Sequence, residues 1–203
     1  RGAVWSPDGT RVAFSRQLDD RTEEIYWQSA DGSGVAEPLT EGSPGRMIPL
    51  AFSADSTVLF YMPVGVSADI WTVPVSGPPS EAAPLLAGPA NERNSSLSPD
   101  GRWLAYQSDE SGQDEVYVRP YPAVDTGRWQ ISSGSGTRPQ WRGDGRELFY
   151  LLTGGPDTIM AAPIETDETF RPGAPQVLFQ HDIAASLSVT NSQIYDVTPD
   201  GQR

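Results

Sequence analysis

The chain has no cysteine and no lysine, contains a single histidine, His181, and has no long apolar run. Without cysteine it can form no disulfide, and cysteine usage leaves its redox compartment undefined. A protein kinase needs a strand lysine and the His-Arg-Asp and Asp-Phe-Gly motifs, all of which are missing here. No apolar stretch approaches the ~18 residues of a membrane span, so we expect no membrane insertion within the chain.

Catalytic patterns of other enzyme classes are missing as well. One histidine is a weak basis for a catalytic triad, and Gly134-Ser135-Gly136 lacks the Gly-x-Ser-x-Gly spacing of a hydrolase elbow. The segment 98–103 resembles a sialidase repeat only superficially, because its glycine follows the aspartate directly. We therefore predict a non-enzymatic chain with no catalytic residue, no cofactor and no metal ligand.

The charge balance limits the choice of partner. The chain has 14 arginines and 27 acidic residues, which gives a net charge of −13. Nucleic acid and anionic membrane surfaces would be repelled, so neither is an expected partner. The chain has 203 residues, 37% of them hydrophobic, together with 20 glycines and 19 prolines, and this composition suits a globular protein of many short strands joined by turns.

The sequence returns at regular spacing to one turn motif, Ser-Pro-Asp-Gly or a close variant. Proline fixes φ for the second position of a type I turn, aspartate accepts hydrogen bonds from nearby amides, and glycine supplies a positive φ at the exit. The aspartates of the five copies are 47, 45, 44 and 56 residues apart, which indicates a repeat architecture. We interpret these aspartates as structural turn residues: Asp8, Asp55, Asp100, Asp144 and Asp200.

Apolar stretches on both sides of each turn predict strands. The residues four to six positions after each of the first four aspartates are apolar, so both faces of that strand should be buried between neighbouring sheets. A third strand begins 15 to 17 residues after the aspartate, and a weaker fourth follows about 30 residues after it. The strand before each turn should also pack inward, because an apolar residue lies three positions before the aspartate: Trp5, Phe52, Leu97, Trp141 and Val197.

Four strands in a repeat of ~45 residues are typical of a β-propeller blade. We predict an all-β chain that forms a single β-propeller segment over residues 1–203, built from four-stranded antiparallel blades. Because the chain starts within a strand and stops after a turn, we expect a fragment of a larger ring of six or more blades, whose open strand edges favour association. The predicted blades are 3–45, 46–92, 93–135 and 136–188, with a partial fifth at 189–203.

The turns and third strands resemble the TolB propeller repeat, which is a WD-like repeat. The resemblance lies in Trp5-Ser6-Pro7-Asp8-Gly9 with Ile25-Tyr26-Trp27, and in Ser98-Pro99-Asp100-Gly101 with Val116-Tyr117-Val118. Blade 2 departs from the motif at Ala54 and Ser56, which replace proline and glycine, and a distorted turn is expected there.

Other stretches resemble the C-terminal propeller of bacterial serine/threonine protein kinases of the Pkn type. This resemblance implies a sensory or protein-binding propeller that follows a kinase domain, often across a membrane. A stand-alone periplasmic TolB-like protein is an alternative, and these two resemblances favour an extracytoplasmic location. The gating propeller of a prolyl-oligopeptidase-like serine peptidase is a further alternative. The stretches with the kinase resemblance are 108–112, 115–122, 141–150 and 195–201.

The partner is expected to be a protein or peptide. Arg138, Arg142 and Arg146 form the main local positive cluster in an acidic chain, and the last two flank one turn. We consider these three residues candidates for a rim that binds an acidic partner. The alternative is that they are solvated separately and form ion pairs within the chain.

One acidic segment has carboxylates close enough in sequence to suggest a metal site. Asp109, Glu110, Asp114 and Glu115 lie within seven residues and could offer oxygen ligands to Ca²⁺. Their spacing is not that of an Asp-x-Asp-x-Asp-Gly loop, and blade 1 has similar carboxylates in its equivalent loop. A solvated acidic hairpin is therefore the preferred interpretation.

Overall fold

The computed structural model describes residues 2–65, 68–166, 169–180 and 195–198. In these ranges the regular structure is β-strand, apart from two short 3₁₀ helices. The strands form four antiparallel sheets, which confirms the predicted all-β class and the four-stranded blades. The helices are Pro79–Glu81 and Val124–Thr126.

The chain divides into two compact units, and the first, Arg1–Glu92, contains blades 1 and 2. Strands that are consecutive in the chain are neighbours in each sheet, and a fifth strand of blade 1 pairs with its third. Blade 1 consists of β1 (Ala3–Trp5), β2 (Arg11–Gln17), β3 (Thr22–Ser29), β4 (Glu37–Pro38) and β5 (Ser43–Pro44). Blade 2 consists of β6 (Arg46–Phe52), β7 (Val58–Val64), β8 (Ile70–Pro74) and β9 (Ala83–Leu86).

The second unit, Arg93–Arg203, contains blade 4 and nearly all of blade 3. The predicted partial fifth blade, 189–203, lies outside the described residues except for 195–198. Blade 3 consists of β10 (Glu92–Leu97), β11 (Trp103–Ser108), β12 (Glu115–Pro120) and β13 (Trp129–Gln130). Blade 4 consists of β14 (Gly136–Trp141), β15 (Glu147–Leu152), β16 (Thr158–Glu165), β17 (Arg171–Pro172) and β18 (Gln176–Gln180), which pairs with β16.

Each unit has an apolar core that both of its blades supply. In unit 1 the core includes Ile25 from blade 1 and Leu59 from blade 2, both fully buried. In unit 2 it includes Val116 from blade 3 and Leu148 from blade 4, again fully buried. Burying one such aliphatic side chain stabilises the fold by about 1.5–3 kcal/mol, so the core positions of the repeat hold neighbouring blades together.

The residue three positions before the turn aspartate packs inward in blades 2 and 4, whereas Leu97 at this position in blade 3 is half-buried. Trp141 in blade 4 is 7% exposed, and its indole Nε1 donates to the carbonyl of Ser96 in blade 3. Phe52 of blade 2 is buried in the core that it shares with blade 1. Trp5 was predicted to pack inward, and this is wrong: it is 63% exposed. Among the described sheets, none precedes that of Trp5 in the chain.

The hairpin turn keeps one geometry even where its sequence changes. Gly9 has a φ of +69°, and its amide donates to the carbonyl of Ser6 at 2.9 Å. In blade 2, Ser56 adopts a φ of +60° and donates to the carbonyl of Ser53 at 2.8 Å. The distortion expected in this turn is therefore absent. Instead, Ser56 bears the conformational cost of a left-handed backbone, about 1 kcal/mol for a residue other than glycine.

Candidate functional site

The first strands of blades 3 and 4 share an unusual backbone conformation. Asn94 has a φ of +51° and Arg138 a φ of +53°, and each lies three residues before the last residue of its strand. The register of β14 against β15 shifts between Thr137 and Gln140, which marks an irregularity of the bulge type. A bulge redirects a side chain away from the regular pleat, and strained non-glycine residues concentrate at functional sites.

Arg93 lies next to the first of these residues and is held by the acidic hairpin between β11 and β12. Its Nη2 lies 2.8 Å from Oδ1 of Asp114 and 3.7 Å from Oδ2 of Asp109. These two carboxylates therefore neutralise an arginine of the first strand. Among the residues that the structure describes, no group of three or more His, Asp and Glu side chains is arranged to hold a metal ion.

Arg138 lies among charged groups of both blades. Burial lowers the pKa of its guanidinium, whereas the nearby carboxylates of Asp114 and Asp157 act in the opposite direction. Its carbonyl accepts a hydrogen bond of 2.5 Å from the hydroxyl of Tyr195, whose pKa is raised by burial. An arginine stays cationic at neutral pH, so a charged donor group is fixed at this position.

Three buried polar atoms around these arginines have no hydrogen-bond partner within the described ranges. They are Nε of Arg93, Oγ of Ser95 and Oδ2 of Asp157. Asp157 is 5% exposed and Ser95 is 7% exposed. Buried polar atoms without partners are uncommon in native proteins and call for a specific explanation. We name Arg93, Ser95, Arg138 and Asp157 the first-strand site.

The other two arginines of the predicted rim lie at the hairpin turn of blade 4. Nε of Arg142 is 3.5 Å from Asp144, and its Nη1 is 3.2 Å from Glu147. Arg146 is exposed after the same turn, where its amide donates to Asp144. Arg142 lies four positions after Arg138 in the chain, roughly 13 Å of extended backbone. The structure thus brings Arg138 next to Arg93, while Arg142 and Arg146 lie together at the turn.

Sequence reasoning missed Arg93, Ser95 and Asp157. The signal that could have pointed to Arg93 and Ser95 was the position of their neighbour Asn94 in the repeat. Asn94 and Arg138 both lie three residues before the residue that was predicted to pack inward in their blade. Asp157 gave no comparable signal, since it belongs to the polar connection before a third strand. Its proximity to Arg138 depends on the sheet of blade 4, in which β15 pairs with β14 on one side and with β16 on the other.

The turn aspartates accept local hydrogen bonds. Oδ1 of Asp8 accepts from Oγ of Ser6 at 2.6 Å and from the amide of Thr10 at 2.9 Å. These bonds, led by that from Ser6, lower the pKa of Asp8 to about 2. Asp55 and Asp100 accept the same serine bond, each at 2.6 Å. Asp144 accepts the amide of Arg146 at 3.0 Å. Asp200 and the single histidine, His181, lie outside the described residues.

Glu115 is the most deeply buried carboxylate of the acidic segment. It is 1% exposed, so the expected solvated hairpin is wrong at this residue. Its carboxylate accepts hydrogen bonds from Gln113, from the Ser132 hydroxyl and from the amides of Gly134 and Ser135. Burial alone would raise the pKa of Glu115, but these hydrogen bonds lower it. Glu110, in contrast, forms an exposed ion pair with Arg128.

The repeated four-stranded sheets and their hairpin turns define a β-propeller of TolB-like form. A TolB structure from Agrobacterium tumefaciens is 20% identical with a TM-score of 0.68, and the match covers 86% of this chain and 63% of that one. TolB from Acinetobacter baumannii is 18% identical with a TM-score of 0.68, over 89% and 43% of the two chains. The chain thus spans less than two thirds of these relatives, and at this identity the likeness establishes the fold alone.

A peptidase shares the same fold over a smaller part of its length. The puromycin-hydrolysing peptidase of Mycobacterium tuberculosis is 15% identical with a TM-score of 0.62, and the match covers 84% of this chain and 28% of the peptidase. No protein-family model matches the chain, and no curated protein matches it significantly in sequence. In the part of the chain that the structure describes, no helix has the length and hydropathy of a membrane span.

Proposed function

We propose that the chain is a non-catalytic β-propeller segment that binds a protein or peptide partner, and that the first-strand site is part of the contact surface. The observation that carries this proposal is that Arg93, Ser95 and Asp157 each have a buried polar atom without a hydrogen-bond partner among the described residues. Propellers suit such a role because their strands hold the connecting segments rigidly while the sequences of those segments vary.

The chemistry of the site suits a polypeptide segment. Arg138 and Nε of Arg93 can donate hydrogen bonds, whereas the carboxylate of Asp157 and the hydroxyl of Ser95 can accept them. An extended peptide presents both carbonyl acceptors and amide donors along its backbone. Arg142 and Arg146, at the neighbouring turn, would extend the surface toward an acidic side chain of the same partner.

The test is affinity capture with the intact 203-residue chain, followed by quantification of the captured partner with single variants. Two variants probe the first-strand site. R138E reverses the charge of the arginine, and D157N removes the charge of the aspartate with almost no change in side-chain size. We expect each to reduce capture at least about tenfold, as for central contacts of an interface. R146E tests the turn separately and should have a smaller effect, because this side chain lies at the edge of the surface.

The matched control is R21E, which reverses an exposed arginine in blade 1. It should leave capture unchanged, and the melting temperature of every variant shows whether the fold is intact. Capture by folded R138E and D157N at the level of the unaltered chain would remove the first-strand site from the proposal. Loss of capture with R21E as well would indicate nonspecific electrostatic adhesion instead.

The kinase resemblance supports a more specific proposal, in which the propeller is the sensory part of a bacterial serine/threonine kinase. The peptidase likeness supports a second candidate, a propeller that gates the active site of a serine peptidase. The neighbouring reading frame distinguishes them. A kinase domain and a membrane span upstream would favour the first, and a Gly-x-Ser-x-Gly elbow downstream the second. A signal peptide without either domain would favour a stand-alone TolB-like protein.

A further inference from the structure

A cleft of about 270 Å³ lies in unit 1, where the chain passes from blade 1 to blade 2. We name this connection, residues 40–47, the first junction. The cleft is bordered by Thr40, Glu41 and Ser43 on the side of blade 1 and by residues of β6, β7 and β8 in blade 2. It lies outside the first-strand site, which belongs to unit 2, and nothing in the proposed function depends on it.

Two aromatic rings form part of the cleft wall. Tyr61 and Trp71 are cross-strand partners on β7 and β8, with ring centroids 6.3 Å apart and planes inclined by 44°. Tyr61 is 3% exposed, and burial raises its pKa to about 12, so it is neutral at physiological pH. Trp71 is half-buried and lines the cleft. An indole face attracts cations through the quadrupole of the ring.

The cleft also has a negative edge. Among the described residues that line it, Glu41 is the only charged one, and its side chain is exposed. Met47 and Pro63 also line the cleft, together with Pro79, Ser80 and Ala82. A carboxylate, an indole face and an apolar wall together match a long cationic side chain, which buries its stem and leaves its charge at the rim.

We propose that this cleft binds the side chain of an arginine from a peptide or protein. Arginine fits better than lysine, because its planar guanidinium stacks on aromatic rings and binds a carboxylate with two parallel hydrogen bonds. The stem packs against Met47 and Pro63, the guanidinium lies over Trp71, and Glu41 accepts its hydrogen bonds. The net charge of −13 assists the approach of such a cation.

Unit 2 supplies an internal comparison, since its blade junction lacks these features. The cross-strand pair Met47 and Pro63 of blade 2 corresponds to the pair Gly136 and Leu152 of blade 4, so a glycine replaces the methionine. Tyr150 pairs with Met160 as Tyr61 pairs with Trp71, so a methionine takes the place of this indole at the second junction. Ser132 is the equivalent of Thr40, and the next residue, Ser133, therefore takes the position of Glu41. Of the two junctions compared, the first therefore combines an exposed carboxylate at the cleft with an indole.

The experiment is an NMR titration of the ¹⁵N-labelled 203-residue chain with N-acetyl-arginine-amide. The indole N–H resonance of Trp71, identified by its loss in W71F, should shift saturably. N-acetyl-citrulline-amide has nearly the same shape without the charge, and we expect it to bind at least about threefold more weakly, since cation–π and exposed ion-pair contributions are each small.

Two matched variants complete the test. E41Q should weaken arginine binding about threefold, whereas E37Q, which alters an exposed carboxylate of β4 outside the cleft, should leave it unchanged. Equal affinities for the two probes, E41Q binding like the unaltered chain, or an unshifted Trp71 resonance would each overturn the proposal. Because the readout is a residue of unit 1, failure here is independent of partner capture by the first-strand site.

Discussion

The junction between blades 1 and 2 and the junction between blades 3 and 4 contain the same hydrogen bond. In the first, Oγ1 of Thr40 accepts the amide of Ile25 at 2.9 Å. In the second junction, residues 132–136, Oγ of Ser132 accepts the amide of Val116 at 2.8 Å. In blades 1 and 3, a hydroxyl residue after the fourth strand therefore links the exit from the blade to its third strand.

Around this shared hydrogen bond, the acidic side chains of the two junctions have different environments. Glu115 is buried in the second junction, where amides of Gly134 and Ser135 surround its carboxylate. At the first junction the equivalent residue, Glu24, forms a hydrogen bond with Tyr26 and raises the pKa of that tyrosine. The neighbouring Glu23 accepts the amide of Met47 at 3.0 Å. One junction is closed around a buried charge, and the other retains a cleft.

This difference shows how a repeat separates structure from function. The turns and core positions recur in every blade because each blade must pack against the next. The connections between blades need only reach the next strand, so they can close tightly or leave a binding surface. We therefore place the candidate sites at a junction and at the irregular first strands rather than at the repeated aspartates.

The largest expected effect comes from removing the buried carboxylate. E115A leaves the amides of Gly134 and Ser135 without their acceptor and should lower the free energy of unfolding by about 3 kcal/mol, the upper range for hydrogen bonds to a charged group. The matched variant E23A removes the acceptor of one amide at the first junction and should cost about 1 kcal/mol. Urea-induced unfolding measures both. Equal losses would contradict the difference between the junctions.

The same carboxylate predicts the direction of the pH dependence. Burial would raise the pKa of Glu115, but its hydrogen bonds reverse this and hold the pKa below its ordinary value of 4.5. A lowered folded pKa adds stability that is complete above the unfolded value and is lost as the pH falls through the folded value. Below about pH 4.5, the unaltered chain should therefore lose stability more steeply than E115Q. Parallel pH curves would argue against this assignment.

A smaller effect is expected from filling the second junction. A Cβ at Gly136 would lie 2.2 Å from Oγ and 2.4 Å from Cβ of Ser132. Ser132 cannot move freely, because its hydroxyl donates a hydrogen bond to Glu115 and accepts one from the amide of Val116. G136A should thus cost about 2 kcal/mol through overpacking, measured by urea unfolding.

The control for this substitution is G88A in unit 1. No heavy atom lies within 4 Å of a Cβ built at Gly88, so the substitution should change stability by no more than about 0.5 kcal/mol. If G136A were as mild as G88A, the second junction would be loosely packed and its description as closed would be wrong.

The sequence was sufficient to predict the elements that depend on local pattern. The all-β class and the four-stranded blades follow from the spacing of the turns and from apolar stretches such as Leu104 to Tyr106. These features are local, because proline, aspartate and glycine act on the backbone of their own turn. Even Ser56 preserves the turn, since its carboxylate neighbour Asp55 and the serine before it keep their hydrogen bonds.

Features that depend on distant residues could not be predicted in this way. Glu115 looks solvated in sequence because its donors, Gly134 and Ser135, lie about 20 residues further along the chain. Trp5 has the pattern of a core residue, but its burial depends on a neighbouring blade. Arg93 meets Asp114 across 21 positions of sequence, and no local rule connects them.

Hydrogen exchange at the second junction tests the central claim, that a buried carboxylate closes this junction. Gly134 is an exposed residue whose amide is protected only if Glu115 accepts its hydrogen bond at 2.7 Å. We predict that the amides of Gly134 and Ser135 exchange at least about tenfold more slowly in the unaltered chain than in E115Q. Equal and fast exchange of these amides in both proteins would contradict the claim.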